Sequence, residues 1–410
     1  MDMDMDMDMD MDMELTADAV SREREQLLKL LAFATFVVFF QAYAIAPMLP
    51  QLASFFHSGV RDVGFAVPAY LLPYGIATLF TGILADRLGI RRVMLTSLAL
   101  FIVLVFATAL CRTLAALVAV RAVTGIAASG IVPLALVVVA KLFPYAERGR
   151  PLGWIFGAMA GGMALGAPLG VMLTPSIGWQ GVMVIIAILA LLTFVILWQR
   201  RDWLERGMKM PSMRLGEILA GYGELLGTAR GARTYGYVLV NSVFHSGVFT
   251  WLSVYLNQRY QLSAEHIGIA LLGYGVPGLL LGPVIGRAAD RLGRGRLLPI
   301  GLALGAVATF LLLFDVPLIW FIVPVLLLSL GYDMTQPLLA GIVTDVGKAR
   351  PGQAMGLNVC TLFVGFGLGS LIFRQLLVSG FPLAFGTFTA VEIALAVMAL
   401  VLFRSESPSK

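Results

Sequence analysis

The sequence predicts an all-α polytopic membrane protein, with twelve transmembrane helices arranged as two pseudo-symmetric six-helix bundles. Three observations carry that prediction. Of the 410 residues, 59% are hydrophobic and only 13% charged, with a mean hydropathy of +0.89, more apolar surface than a water-soluble core can bury. The apolar residues fall into runs long enough to cross a bilayer, separated by short polar turns. The stretch Gly82-Ile-Leu-Ala-Asp86-Arg87-Leu-Gly89-Ile-Arg91-Arg92 recurs 204 residues later as Gly286-Arg-Ala-Ala-Asp290-Arg291-Leu-Gly293-Arg-Gly-Arg296. With Tyr70/Tyr274 and Pro73/Pro277 upstream, 9 of 23 aligned positions are identical. One copy per half-chain marks a duplicated domain rather than a solenoid.

Taken in order, residues 1–29 form a cytoplasmic extension whose Met-Asp alternation (1–13) is low-complexity, expected to be disordered, and set aside from fold reasoning. The first bundle occupies 30–199, with spans at 30–53, 63–85, 93–111, 114–142, 152–174 and 180–199. The second occupies 235–403, with spans at 235–257, 266–288, 297–314, 318–345, 354–376 and 382–403, followed by a tail over 404–410. The first span is too long for a signal peptide and is kept as a membrane helix. Between the bundles, 200–234 carries Leu215, Ile218, Leu219, Tyr222, Leu225 and Leu226 at helical spacing. That pattern reads as an interfacial amphipathic helix serving as a tether. With the N-terminus inside, the inner segments hold 24 basic residues, whereas the outer side has four: Arg61, Arg112, Arg259 and Arg374. By the positive-inside rule both termini are cytoplasmic. Short loops point to a bacterial plasma (inner) membrane.

Composition also limits function. The basic excess sits in turns between spans, which reads as topology and gives no reason to expect nucleic acid as a partner. Cys111 and Cys360 offer neither a disulfide framework nor metal-ligand spacing, and no cofactor or metal is expected. No Ser-His-Asp grouping lies on the spans and no Gly-rich loop ends in Lys-Ser/Thr, so nothing in the sequence supports an enzyme or an ATP-driven pump.

Twelve spans, a six-plus-six duplication and Gly-Xaa-Xaa-Ala-Asp-Arg-Xaa-Gly-Xaa-Xaa-Arg between spans 2 and 3 together resemble the major facilitator superfamily over 30–403. Span 4 carries Leu117-Xaa-Xaa-Xaa-Arg121-Xaa-Xaa-Thr124-Gly125, similar to the family's span-4 arginine motif. Span 5 carries Gly162-Met-Ala-Leu-Gly166-Ala-Pro168-Leu-Gly170, which looks like the antiporters' glycine-proline motif with Ala167 interrupting the usual Gly-Pro pair. Span 1 ends in Pro47-Met-Leu-Pro50, as in the twelve-span drug and metabolite efflux branch. The resemblance implies a monomer whose spans 1, 4, 7 and 10 line a central cavity. It further implies a conformational latch at Gly82, Asp86, Arg87, Gly89 and Arg92, its repeat at Gly286, Asp290, Arg291, Gly293 and Arg296, and Arg148 in the loop before span 5. That latch would brace the outward-open state; the plainer alternative is a static turn. Glycines four apart on span 5 allow backbone-to-backbone packing, whether or not they also set transport direction.

Ionisable groups within lipid are costly and are functional candidates by default. Arg121 stays protonated and could hold an anionic substrate or act on a carboxylate, or it could snorkel outward. Asp333, in Gly331-Tyr-Asp333-Met-Thr-Gln336-Pro337 of span 10, is the leading proton site. His245, with Asn241 one turn before it, could relay protons or bind substrate, or simply join helices. Gln41 maps onto His245 through the 204-residue offset, so Gln41, Arg121, Asn241, His245, Asp333 and Gln336 make up the expected substrate cavity, with Asp333, Arg121 and His245 handling protons. Glu392 lies outside it, at a packing or lipid-interface position. The expected function is secondary active export of a small organic molecule in exchange for protons by rocker-switch alternating access. A symporter or uniporter importing an organic anion on Arg121, and a non-transporting receptor or scaffold, are the alternatives.

Overall fold

The computed structural model describes residues 2–143, 149–204, 215–315 and 317–406, with side chains from residue 22 onward except at 140, 149, 215, 218, 279, 282, 283 and 290. Among the described residues every regular element is helical. Ten of their helices are long and apolar enough to cross a membrane, and two features bring the count among these residues to twelve crossings. Gly149–Gln199 is written as one helix but carries Gly178 at φ 71°, so spans 5 and 6 are its two arms. Span 8, expected to be continuous over 266–288, is broken into Ala264–Leu271 and Val276–Leu292. The reason is local. Tyr274 turns back onto Leu271, Gly275 takes φ 93°, and Pro277 can only begin a helix, not continue one. The first helix runs Asp2–Ala44, ahead of the boundary that hydropathy suggests.

Helix starts follow their capping residues. Thr113 accepts the Ala116 amide before span 4 (Leu114–Ala128, then Val132–Leu142), and Thr228 accepts that of Gly231 before span 7 (Ala229–Tyr260). Pro68 opens span 2 (Pro68–Leu88) and Pro351 opens span 11 (Pro351–Leu376). The remaining crossings are span 3 (Ile90–Ala109), span 9 (Arg294–Leu311), span 10 (Ile322–Val346) and span 12 (Phe381–Leu402).

The two halves repeat one packing device. In the first, a Cβ on Gly162 would lie 2.6 Å from the Phe36 carbonyl and one on Gly166 2.5 Å from that of Phe40, so span 5 rests on the backbone of span 1. In the second, Gly365 and Gly369 bring span 11 onto span 7, with Cβ positions 2.7 and 2.1 Å from the Leu239 and Val243 carbonyls. The duplicated turns agree in backbone: Gly89 has φ 89° and ψ 142°, Gly293 φ 85° and ψ 149°, and each amide closes onto the carbonyl four residues back.

The linker helix is Leu215–Gly227; residues 205–214 lie outside the described residues. Where the sequence suggested a helix lying freely at the interface, Leu225 is buried with Val343, Ala354 and Leu357 at the ends of spans 10 and 11. Arg350 pairs with Glu224 at 3.2 Å, docking the linker on the second half.

Candidate functional site

The buried polar groups separate into three places. Arg121 is wholly buried; its Nε donates to the Ala66 carbonyl at 3.1 Å and its guanidinium lies 4.3 Å from the Tyr70 ring centroid. Snorkelling is thereby corrected: the side chain turns across to the start of span 2. Among the described residues its Nη1 and Nη2 find no hydrogen-bond partner, nor does the amide of buried Gln41.

Asn241 and Gln336, expected in the cavity, join span 7 to span 10: Asn241 Nδ2 donates to Thr335 Oγ1 at 2.9 Å and Gln336 Nε2 to Ser242 Oγ at 3.3 Å. Glu392 is fully buried, with both oxygens unpartnered among the described residues, close to Gly305 and Phe244 of spans 9 and 7. It faces the bundle interior and not lipid.

His245 stands near the middle, between the halves, and Asp333 lies midway along span 10 where that span meets span 8. His245 is buried, edge-on to Phe244 and 5.1 Å from the Tyr332 ring. It lines a central cavity of about 20 Å³ with Tyr43, Val67, Phe249, Thr250, Tyr274 and Phe366, room for a single water. Asp333 accepts from Ser329 Oγ at 2.9 Å and from the Gly278 amide of span 8. Among the described residues no Arg or Lys pairs with it. The pseudo-symmetric tyrosines thus serve opposite charges: Tyr70 faces Arg121 and Tyr274 faces Asp333. Sequence reasoning noted that pair as repeat identity but missed its aromatic company, Tyr43, Phe249, Tyr332 and Phe366; aromatic positions on spans 1, 7, 8, 10 and 11 were the available signal.

The halves are pinned together at the face opposite the termini. Arg374 Nε donates to the Arg61 carbonyl at 2.6 Å, its Nη2 pairs with Asp62 at 3.1 Å, and its guanidinium lies 4.0 Å from the Phe65 centroid. Ser253 donates to the Ala46 carbonyl at 3.1 Å, and the Trp251 indole fills the space above Gly64. On the terminus-bearing side, a hollow of about 560 Å³ opens between spans 1 and 5, lined by Lys29, Phe33, Phe36, Arg150, Trp154 and Gly157.

At the first turn, Asp86 Oδ1 is buried without a partner among the described residues, with Lys141 acting on it electrostatically, while Arg87 and Arg92 are exposed. Arg148 lies outside the described residues, as does the side chain of Asp290. Arg291 and Arg296 are exposed, and Gly82 and Gly286 have open space about them. A separate cluster fastens the tail: Arg230 pairs with Glu406 at 2.7 Å and Asp345 at 2.6 Å, and Arg233 with Glu406 at 2.6 Å. The Arg230 contact holds Glu406 below the usual carboxylate range.

Two related membrane bundles, closed on each other at one face and holding polar groups near the midplane, define a polytopic membrane carrier. The Major Facilitator Superfamily model matches residues 31–280 and again 234–410, and the chain belongs to that family. It is 26% identical over 382 residues to the MFS-type transporter YceJ of Bacillus subtilis, covering 91% of this chain and 94% of that one. It is 23% identical to the tetracenomycin C resistance and export protein of Streptomyces glaucescens, covering 86% of this chain and 76% of that one. Among solved structures, nucleoside transporter NupG superposes with a TM-score of 0.76 at 13% identity over 93% of this chain and 100% of that one, a likeness of fold. The protein is an integral multi-pass membrane transporter.

Proposed function

We propose that this transporter exports a small organic molecule in exchange for protons, by rocker-switch alternating access, from the cytoplasm of a bacterial cell across its inner membrane. The observation that carries the reading is Asp333: a carboxylate midway along span 10, hydrogen-bonded to Ser329 and to span 8 and paired with no base among the described residues. Such a group can gain and lose a proton as its surroundings alternate, which a permanently paired carboxylate cannot. Substrate lies against the aromatic wall formed by Tyr43, Phe249, Tyr274 and Phe366, with His245 as the polar contact. The efflux direction is supported by the likeness to the Streptomyces resistance and export protein, and the orientation by the distribution of basic residues. Both termini are then cytoplasmic, and the mouth held shut by Arg374, Trp251 and Ser253 is the outer one.

Arg121, tied to Ala66 and Tyr70 and absent from the cavity lining, acts as a buried brace between spans 2 and 4 in this conformation. Everted membrane vesicles with an acidified lumen test direction and coupling together. Accumulation of one compound from a mixed panel, collapsed by a protonophore, is the expected result. Uptake indifferent to the proton gradient would replace exchange by uniport.

A further inference from the structure

Span 8 breaks at the point where Asp333 meets it. The second half-helix, Val276–Leu292, starts anew after the corner at Gly275, and a helix start leaves amide groups without partners of their own. Span 10 supplies those partners. The Gly275 amide donates to Ser329 Oγ at 2.8 Å, Ser329 Oγ donates to Asp333 Oδ2 at 2.9 Å, and the Gly278 amide donates to the Asp333 carboxylate. The fit is close: a Cβ on Gly278 would lie 2.7 Å from Asp333 Oδ1. The other side of the same corner touches the opposite half of the molecule. A Cβ on Gly275 would lie 2.4 Å from that of Ala164, which belongs to the Gly162–Gly170 stretch of span 5. Gly268, on the first half-helix, meets Met172 and the Pro168 carbonyl of the same span. Ser329 and Gly275 thus link Asp333 to the seam between the two halves.

We propose that Ser329 positions Asp333 and that the Gly275 corner converts the charge on Asp333 into the fit of span 8 against span 5. The inference rests on the reading of Asp333 as the proton site. An anionic carboxylate is a stronger cap than a neutral one, because the helix start carries partial positive charge and free donors. With Asp333 ionised, the corner is held where it meets Ala164. With Asp333 protonated, one oxygen becomes a donor facing donors, the cap weakens, and the seam is free to part. The groups facing Asp333 are uncharged at neutral pH: Tyr274 from span 8 and Tyr332 and Ser329 from its own helix. Tyr43 of span 1 stands near both phenols, and His245 of span 7 lies across the Tyr332 ring.

The test measures the opening of the mouth opposite the termini as a function of pH. The full chain carries Cys111→Ser and Cys360→Ser, with spin labels at Arg112→Cys in the first half and Ser379→Cys in the second, both exposed positions, in proteoliposomes. In this parent, acidification from about pH 8 to about pH 5 is expected to change the ratio of short to long label distances by ~10-fold. Ser329→Ala and Gly278→Ala should reduce that response to less than about 3-fold, and Ser329→Thr should restore it. If Ser329→Ala and Gly278→Ala respond like the parent while Asp333→Asn does not respond, the corner is not the coupling device and the proton-site reading stands. If Asp333→Asn responds like the parent, or the parent shows no response, the proton-site reading itself is overturned and this inference with it.

Discussion

Replacing Gly64 with alanine should tip the conformational balance of the carrier. Gly64 has φ −54°, so alanine brings no backbone strain and the whole effect is steric. Its new methyl would lie 2.4 Å from Trp251 Cη2 and 2.7 Å from Cζ2. The indole cannot retreat freely, because Trp251 is fully buried and its Nε1 donates to the Ser370 carbonyl at 3.1 Å. Overpacking of this kind costs about 1–3 kcal/mol. Gly64 and Trp251 belong to different halves, so a rocking motion separates them and the cost falls only on the conformation closed at this mouth. The ratio of closed to open molecules should drop by roughly 5- to 150-fold. Ser253→Cys reports it, placed in a chain lacking Cys111 and Cys360, since Ser253 is only 1% exposed in the closed mouth. Its labelling rate with a water-soluble maleimide should rise by about the same factor on adding Gly64→Ala. An unchanged rate in a protein of unchanged thermal stability would mean that Gly64 and Trp251 stay in contact throughout, and the rocking account would be wrong.

Three further outcomes follow from the same geometry. Gly166→Ala should destabilise the first bundle by about 1–3 kcal/mol in a thermal melt, because its methyl meets the Phe40 backbone, whereas Gly157→Ala, with nothing within 4 Å, should not. Gly89→Ala and Gly293→Ala should each cost about 1–3 kcal/mol, since both glycines sit at positive φ with extended ψ, and equal losses would show that the repeated turns are structurally equivalent. Glu406, its carboxyl held low by Arg230, contributes stability present above the unfolded-state value of about 4.3 and lost as pH falls through its lower folded-state value. Limited proteolysis should therefore release the tail at low pH, and Glu406→Gln should release it already at neutral pH.

The division into two bundles was legible because a duplicated turn leaves identical residues: Gly89 and Gly293 share a backbone conformation that few other residues adopt. That span 5 packs backbone to backbone was legible because glycines four apart leave one helix face bare, but its partner, span 1, was not. The break in span 8 was not. Hydropathy averages over a window and passes smoothly across Tyr274, Gly275 and Pro277, though Gly273, Gly275 and Pro277 together were the available warning. Sequence spacing placed Asn241 and Gln336 on the right helices but not on a face, and their partners Thr335 and Ser242 come from each other's helices. For Glu392 the sequence left packing and the lipid interface both open, for a related reason. Which side of span 12 meets Gly305 depends on helix packing that one periodic pattern does not fix. Ser329 escaped notice because a serine in an apolar run is unremarkable until an acid stands one turn away and a broken helix opposite.

The central claim is proton-coupled exchange through Asp333, and the most direct test is substrate-induced proton movement in proteoliposomes. A pH dye inside the vesicles follows the flux while cations, anions and neutral metabolites are offered in turn, with wild type and Asp333→Asn side by side. The account predicts proton movement triggered by at least one compound in the wild type and none in the variant, which should still bind that compound. Transport of a compound without proton movement in either protein, or equal proton movement in both, would contradict it.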